Sequence, residues 1–280
     1  MDRKVHVFDN GVRVFDDQLM AGQKERYLIR NVHESDEEDI FVELIRALPA
    51  DGCFVNIGAA IGYYALLAKK LAPQLTIHAV EPLGRHRDFF VENVTLNGLG
   101  PTDFTVHQEA IYSGEGDQRF VDNGYGSSLY KVWRSAAGET SIKGAFKTSV
   151  KVLLTKSGLK KFEVGPANDK LITIQTITLE QLLAKVGRGV DLLQMDVQGA
   201  EADILQGSLS SLRSGNITSF LIGTHGRALH QACSAILRGH GYEIEYEQPN
   251  PTEQPDGIIV ATKGARRLRV RSERSAALRV

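Results

Sequence analysis

A glycine turn follows an apolar run near residue 53, and it is the first feature of the sequence that could bind a ligand. The segment Asn56–Gly62 reads NIGAAIG and joins the run CFVNI to the amphipathic run IGYYALLAKKLA. Gly58 permits a tight turn, Gly62 permits close packing of helix on strand, and the free N–H groups of a helix start can bind a polar ligand. The G-x-x-x-G spacing matches neither the P-loop nor G-x-G-x-x-G, so a purely structural turn stays an alternative.

A carboxylate, Glu81, ends the next apolar run, LTIHAV. It stands about 20 residues beyond the glycine turn, where a nucleoside-binding sheet places an acid that accepts hydrogen bonds from both ribose hydroxyls. A solvent-facing acid at a strand end is the alternative. Taken together, Gly58, Gly62 and Glu81 favour a nucleoside ligand.

Two further residues at strand ends could perform acid–base chemistry. Asp196 ends the run VDLLQM, where a carboxylate is costly unless it is solvated or partnered. His225 follows ITSFLI, and its near-neutral pKa suits removal of a proton from a hydroxyl. Neighbouring strand ends share the crevice in which such sheets bind ligands. A structural histidine is the alternative for His225, and the helix macrodipole alone explains Glu201.

Alternating strands and helices must position these residues. Seven apolar runs separated mainly by amphipathic ones predict an α/β fold, a doubly wound, seven-stranded and mostly parallel sheet (Rossmann-like). FTVHQEAI is predicted to be its third strand. The last two strands, YEIEYEQ and GIIVAT, are joined by the loop PNPTEQPD without a helix, which predicts an antiparallel last strand. A helix with a solvated acidic start is predicted at Ser35.

Two segments stand outside this alternation. Asp9-Asn10-Gly11 between VHVF and VRVF predicts an N-terminal β-hairpin. The block at about 113–170, which includes the run TSVKVLL and is followed at once by the run LITIQTI, is interpreted as a mid-chain insertion. The predicted organisation is therefore a hairpin extension at 1–34, a catalytic domain at 35–263 and a basic, disordered tail at 264–280.

Composition excludes several classes of protein. The 280 residues are 42% hydrophobic and 24% charged, with a net charge of −1, which is typical of a globular protein without a general affinity for nucleic acid. The tail alone holds six arginines and one glutamate, a net +5. Cys53 and Cys233 are interpreted as buried residues. Neither a signal peptide nor a membrane span is visible, so a cytoplasmic location is expected.

The motifs together resemble the FkbM family of S-adenosylmethionine-dependent methyltransferases. The matching segments are FVNIGAAIGYYALLAKK, VEPLGRHRDFFVENVTLNG, GSSL, TITLEQLL and LLQMDVQGAEADILQGS. With the closing strand pair, the resemblance covers about residues 35–262. It implies the class I methyltransferase fold, a seven-stranded sheet with an antiparallel last strand.

The resemblance also implies roles for individual residues. Gly58, Ala59 and Gly62 would lie under the methionine part of the cofactor, and Glu81 would hold the ribose hydroxyls. Glu109 and Ala110 would lie near the adenine, and Asp196 would face the site of methyl transfer. The chain departs from the family where Asn56 replaces Asp, Ala60 replaces Asn and Gln198 replaces Glu. Asn56 keeps its capacity for hydrogen bonds but loses a charge that would favour the cationic cofactor.

The expected reaction is methyl transfer from S-adenosylmethionine to a hydroxyl of a sugar or secondary metabolite. His225 is the leading candidate for the base, with Asp196 as its electrostatic partner. Alternatively, Asp196 helps to bind a divalent cation that acidifies the hydroxyl, although the sequence shows no second carboxylate pair clear enough to assert a metal. Two other functions stay open: a catalytically silent binding module, and an NAD-dependent oxidoreductase, whose G-x-G-x-x-G is missing.

Overall fold

The computed structural model describes residues 3–132, 170–251, 254 and 256–264. In chain order the strands are β1 (Val5–Val7), β2 (Arg13–Phe15), β3 (Cys53–Ile57), β4 (Thr76–Val80), β5 (Thr105–His107), β6 (Ala110–Ile111), β7 (Gly116–Asp122), β8 (Ser128–Leu129), β9 (Lys170–Ile177), β10 (Val190–Met195), β11 (Ile217–Thr224), β12 (Glu243–Gln248) and β13 (Gly257–Thr262). The helices are α1 (Ala21–Tyr27), α2 (Ser35–Ala47), α3 (Tyr63–Leu71), α4 (Gly84–Leu96), α5 (Leu179–Val186), α6 (Glu201–Gln206), α7 (Leu209–Ser214) and α8 (Arg227–Gly239).

A seven-stranded sheet with the order β12-β13-β11-β10-β3-β4-β5 forms the centre of this fold. From β11 to β5 every neighbouring pair is parallel. Strand β13 lies antiparallel between β11 and β12. The mostly parallel sheet with one antiparallel strand confirms the predicted fold class.

Helices cover both faces of the main sheet because its strands are apolar on both sides. Successive residues of a strand point to opposite faces. Val55 and Leu193 accordingly belong to one core cluster with residues of α5, α6, α7 and α8, and Phe54 and Leu192 belong to another with residues of α2, α3 and α4. The sheet is thus doubly wound, and none of the helices in the described ranges is long and apolar enough to cross a membrane.

A second, four-stranded sheet with the order β6-β9-β7-β8 lies beside the first. It corrects one prediction, because FTVHQEAI is not a single strand: its first half forms β5 in the main sheet and its end forms β6 in the second. LITIQTI forms most of β9. TSVKVLL and the arginine-rich segment beyond residue 264 lie outside the described residues.

The predicted N-terminal hairpin is formed by β1 and β2, which pair antiparallel around Asn10 and Gly11. Its aromatic side chains pack on the main domain. The ring centroid of Phe8 lies 5.0 Å from that of Tyr27 and 4.7 Å from that of Tyr63, the first residue of α3. The hairpin therefore supports the helix that follows the glycine turn.

Helix α2 begins at Ser35 as predicted, but its acidic first turn is not solvated. Glu37 and Glu38 are both buried. Glu37 Oε1 accepts a hydrogen bond from Gln194 Nε2 at 2.6 Å, and Glu38 Oε2 accepts one from the Tyr63 hydroxyl at 2.5 Å. The helix start is thus packed against the carboxyl end of the main sheet.

Two glycines with the same backbone conformation provide a test of this packing. Gly62 and Gly98 have φ values of +86° and +72°, and Cβ at Gly62 would lie 2.1 Å from the Phe90 ring, whereas Cβ at Gly98 would have nothing within 4 Å. We expect Gly98→Ala to lower the free energy of unfolding by about 1–2 kcal/mol, because alanine is strained in the left-handed conformation and meets no other atom there. Gly62→Ala should lower the free energy of unfolding by about 1–3 kcal/mol more than Gly98→Ala does, because its Cβ overpacks against the Phe90 ring. Urea denaturation measures both, and equal losses would contradict this account.

Candidate active site

The glycine turn after β3 is packed directly against the end of β10. Gly58 has a φ of +86°, and Cβ placed there would lie 1.9 Å from the carbonyl oxygen of Asp196. The Asp196 N–H donates to the carbonyl of Ile57, and the N–H groups of Gly58 and Ala59 both donate to the carbonyl of Val80, each at 3.0 Å. The turn is thus fixed between β10 and β4, and residue 58 must be glycine for the two chain segments to approach so closely.

Glu81 is buried at the end of β4 and holds the glycine turn. Its Oε2 accepts a hydrogen bond from the Ala60 N–H and its Oε1 accepts one from the Leu83 N–H, both at 2.9 Å. His86 Nδ1 lies 3.4 Å from Oε1. A carboxylate offers about four lone-pair positions, so Glu81 keeps acceptor capacity for a ligand. Its burial beside the turn does not fit the alternative of a solvent-facing acid.

Asn56, near the end of β3, is buried with one polar atom unpartnered. Its Nδ2 donates to Gln194 Oε1 at 3.3 Å, and Gln194 Nε2 in turn donates to Glu37. Among the residues that the structure describes, none donates a hydrogen bond to the Asn56 Oδ1 atom. A buried acceptor of this kind is costly unless a donor reaches it, so Asn56 presents a free acceptor site within the protein.

Asp196, Glu201 and His225 form a cluster at the carboxyl ends of β10 and β11. Each offers a ligand atom, and these atoms lie within 4.8 Å of one another. Glu201 Oε1 accepts hydrogen bonds from the backbone of Val197 at 3.2 Å and of Gly199 at 3.1 Å. It also lies 3.0 Å from His225 Nδ1. Since a carboxylate only accepts, His225 Nδ1 carries a proton.

Asp256 completes this cluster, and sequence reasoning missed it. Its Oδ1 lies 3.2 Å from His225 Nε2, while Asp196 Oδ1 lies 3.5 Å from the same nitrogen. Asp256 directly precedes β13, whose Gly257 pairs with Thr224 of β11. Because β13 is antiparallel, its first residue lies at the edge where the parallel strands end. The predicted antiparallel strand was the signal that could have found Asp256.

Burial and charge together set the protonation of this cluster. Burial alone would lower the pKa of His225, but the hydrogen bond to Glu201 and the charges of Asp196 and Asp256 outweigh it and raise the pKa to about 10. Burial raises the pKa of Asp196 to about 6, although His225 opposes the rise. In this state His225 is an imidazolium at neutral pH and has no lone pair with which to accept a proton.

Two further buried acids, Glu34 and Glu37, approach the cluster from the start of α2, and sequence reasoning missed them as well. Burial raises the pKa of Glu37 to about 8, and the charge of Asp196 adds to the rise. Burial raises the pKa of Glu34 too, with Glu37 as the next contribution. One end of the site is thus lined by carboxyl groups that burial keeps protonated to a higher pH than usual.

The two residues predicted near the adenine lie farther along the same edge. Glu109 follows β5, whose His107 carbonyl accepts the Glu81 N–H at 3.0 Å. The Glu109 carboxylate pairs with Lys185 of α5, and this contact lowers its pKa. Ala110 is buried at the start of β6. The roles of Glu109 and Ala110 stay predictions.

The comparison with known families decides the family of this chain. The profile described as the Methyltransferase FkbM domain matches residues 56–244, from the end of β3 into β12. The chain belongs to the FkbM methyltransferase family. Its glycine turn, its Glu81 and its Asp196 cluster all lie at the carboxyl edge of the sheet, and Asn56 through His225 fall within the matched range.

Two relatives of this FkbM chain match over different lengths. The AMB antimetabolite synthetase AmbE of Pseudomonas aeruginosa is 26% identical over 275 residues, which covers 85% of this chain and 12% of AmbE. A putative methyltransferase of Jannaschia sp. strain CCS1 is 35% identical over 82 residues, which covers 26% of this chain and 29% of that protein. The matched part of the FkbM chain thus covers less than a third of the length of either relative.

Solved structures resemble the FkbM chain at low identity. A fibrillarin of Aeropyrum pernix, solved in complex with natively bound S-adenosyl-L-methionine, is 13% identical, with a TM-score of 0.43 over 93% of this chain and 82% of that one. A precorrin-6y C5,15-methyltransferase of Geobacter metallireducens GS-15 is 13% identical, with a TM-score of 0.46 over 89% of this chain and 96% of that one.

The backbone of the turn suggests a stabilising substitution. Ala60 has a φ of +47°, in the left-handed region that costs a non-glycine residue about 1–2 kcal/mol and that asparagine tolerates better. We expect Ala60→Asn to raise the free energy of unfolding by about 0.5–1 kcal/mol, as measured by urea denaturation. Ala65→Asn, in the middle of α3, is the matched control and should destabilise. A lower free energy of unfolding in Ala60→Asn would contradict the inference that Ala60 is strained.

Proposed function

We propose that this chain is an S-adenosylmethionine-dependent O-methyltransferase. The observation that carries the proposal is the direct contact between two ligand-binding features. Gly58 of the turn touches the backbone of Asp196, so a cofactor seated on the turn would have its reactive end beside the Asp196 cluster. Membership of the FkbM family supports the same chemistry.

The cofactor would be held by groups that the fold has fixed in advance. We propose that Gly58, Ala59 and Gly62 lie under its methionine part, and that Glu81 accepts hydrogen bonds from the ribose through lone pairs left over by Ala60 and Leu83. The unpartnered Asn56 Oδ1 fits a donor such as an ammonium group. This acceptor partly offsets the loss of the family's Asp at position 56. Glu109 and Ala110 would lie toward the adenine.

The reaction joins the acceptor oxygen to the methyl carbon as the bond from that carbon to the sulfonium sulfur breaks. The hydroxyl would lose its proton to water, and S-adenosylmethionine, when bound, would supply the methyl group. The protein must therefore align the oxygen with the methyl group and favour loss of the proton. We propose that Asp196 accepts the hydrogen bond of the acceptor hydroxyl and that the charge of His225, whose Nε2 lies 3.5 Å from Asp196 Oδ1, favours the ionised form of Asp196. His225 was predicted to be the base, but a base must have a free lone pair. The raised pKa of His225 means that the ring keeps both of its protons at neutral pH, so it would first have to lose one of them.

The acceptor is proposed to be a hydroxyl of a sugar or of a secondary metabolite, in a small molecule or glycan. The acidic groups around His225 support this choice, because a phosphate backbone is bound mainly through Lys and Arg side chains, whereas Glu201 and Asp256 line this end of the site. The relative AmbE is named as an antimetabolite synthetase, which supports a metabolite acceptor. Residues 35–263 are proposed to form the methyltransferase domain, with 1–34 as a hairpin extension and 264–280 as a tail.

A catalytically silent binding module is the second candidate function. Asn56 in place of the family's Asp and the strained Ala60 are the observations that favour it. Such a module would bind the cofactor, or bind nothing, and would transfer no methyl group. A screen of sugars and metabolites with labelled cofactor separates this candidate from the enzyme.

The cofactor proposal predicts that the purified chain binds S-adenosylmethionine in isothermal titration calorimetry. Glu81→Gln removes a charged acceptor worth about 1.5–3 kcal/mol, and we expect about 10–100-fold weaker binding. Asp117→Asn, at an exposed position of β7, is the control and should bind as the wild type does. Absence of binding by the wild-type chain would refute the enzyme proposal.

The transfer proposal predicts that Asp196→Asn lowers the rate of methyl transfer about 10²–10⁴-fold and leaves cofactor affinity within a few-fold of the wild type. His225→Ala should show the same pattern because it removes the charge that favours the ionised form of Asp196. Rates are measured by transfer of label to the acceptor that the screen identifies. Unchanged turnover in both variants would exclude these residues from the transfer site.

A further inference from the structure

The nitrogen His225 Nε2 faces two negative groups without forming a hydrogen bond. It is buried, and within the described part of the chain no group forms a hydrogen bond with it, although Asp256 Oδ1 is only 3.2 Å away and Asp196 Oδ1 is 3.5 Å away. The proton on Nδ1 is accounted for by Glu201. In a neutral ring, the Nε2 lone pair would therefore point toward two carboxylates. A positive charge must lie between these three groups, either as a second proton or as a bound cation.

The direction of the contacts distinguishes these two cases. An oxygen at 3.2 Å would accept a hydrogen bond if it lay along the N–H axis, so the missing bond places Asp256 off that axis. Two ligand atoms that each lie about 2.1 Å from one ion, with an angle of about 90–109° at the ion, are about 3.0–3.4 Å apart. The lone pair of each ligand atom then points at the ion, and the other ligand atom lies off that lone-pair axis. The separation of 3.2 Å from Asp256 lies within this range, and that of 3.5 Å from Asp196 exceeds it by about 0.1 Å. Together with the off-axis position of Asp256, these separations fit coordination better than an imidazolium ion pair.

We propose that His225 Nε2, Asp196 and Asp256 bind a divalent metal ion, with Glu201 as the group that orients the imidazole. Histidine ligands of metals commonly donate their second ring N–H to a carboxylate, and the Nδ1 contact with the fully buried Glu201 has this form. The three ligands come from the ends of β10 and β11 and from the start of β13, so the sheet itself sets their spacing.

The ligand set indicates which ions fit. One imidazole and two carboxylates suit Mn²⁺, Fe²⁺, Co²⁺ or Zn²⁺ better than Ca²⁺, which takes six to eight oxygen ligands. Three protein ligands also leave at least one coordination position open. Asp196 and His225 are each partly exposed, so this position can face a ligand that enters from solvent.

The role of the ion rests on the proposed function. The acceptor hydroxyl would take the open position, and a divalent ion lowers the pKa of an oxygen bound to it. The hydroxyl proton then passes to water, the bond from oxygen to the methyl carbon forms, and the bond from carbon to sulfur breaks. The ion stays unchanged in charge. His225 would act as a neutral ligand of the ion through Nε2. It would then not have to take the proton of the acceptor hydroxyl, which an imidazolium ring cannot do.

The test is a titration of the full chain, treated with a chelator and dialysed, with Mn²⁺. Free Mn²⁺ is followed by electron paramagnetic resonance, with and without S-adenosylmethionine. We expect one Mn²⁺ per chain. Asp256→Ala and His225→Ala should each weaken binding at least about 10-fold, whereas Asp117→Ala should bind as the wild type does. No saturable binding by the wild type under either condition, or wild-type affinity in both ligand variants, would overturn the proposal.

Two additional measurements keep the result independent of folding and of the proposed function. Bound Mn²⁺ in the wild type should show coupling to an imidazole nitrogen, and its absence would overturn the assignment even if the variants unfold. Glu201→Gln should weaken Mn²⁺ binding about 10–100-fold and alter this coupling, with unchanged cofactor affinity. Calorimetry with S-adenosylmethionine runs on the same samples. If the chain binds S-adenosylmethionine but not Mn²⁺, the metal site alone is refuted. If it binds Mn²⁺ but not S-adenosylmethionine, the proposed function alone is refuted.

Discussion

The approach of β3 and β10 at their carboxyl ends is the constraint on which the rest of the structure depends. The backbones of Gly58 and Asp196 are too close for any side chain to separate them, and the hydrogen bond from Asp196 to Ile57 holds them there. This contact fixes the turn that would cradle a cofactor and the carboxylate that would meet its reactive end. One backbone contact therefore sets the geometry between two parts of the site that lie about 140 residues apart in the chain.

Concentrated negative charge is the second constraint on the site. Asp196, Glu201 and Asp256 surround one imidazole, and Glu34 and Glu37 approach from α2. Buried carboxylates are tolerated only when protons, donors or cations compensate them. Raised pKa values at Glu37 and Asp196 show part of this compensation. The sulfonium cofactor and the divalent ion that we propose would both bring positive charge to this end of the sheet.

The sequence was sufficient to predict the main sheet and the residues that stand directly at the ends of its strands. Glu81, Asp196 and His225 were predictable because parallel strands bring their carboxyl ends to one edge. Asp256 was missed because it stands in a proline-rich loop without periodicity, and only the antiparallel direction predicted for the last strand indicated that it reaches this edge. Glu37 was misinterpreted because acids in the first turn of a helix are usually solvated. FTVHQEAI was assigned to one strand because its apolar pattern does not reveal which sheet each half joins.

The position of β13 also bears on the order in which the site is assembled. Asp256 reaches His225 only after β13 has inserted between β11 and β12, and Gln254 beside it accepts the Glu37 N–H across 217 residues of sequence. Contacts of such separation form slowly and late, because a long loop must close first. During synthesis, the turn and the Asp196 strand can therefore exist before the site does. An intermediate without the final strand would carry an exposed sheet edge and an incomplete set of carboxylates.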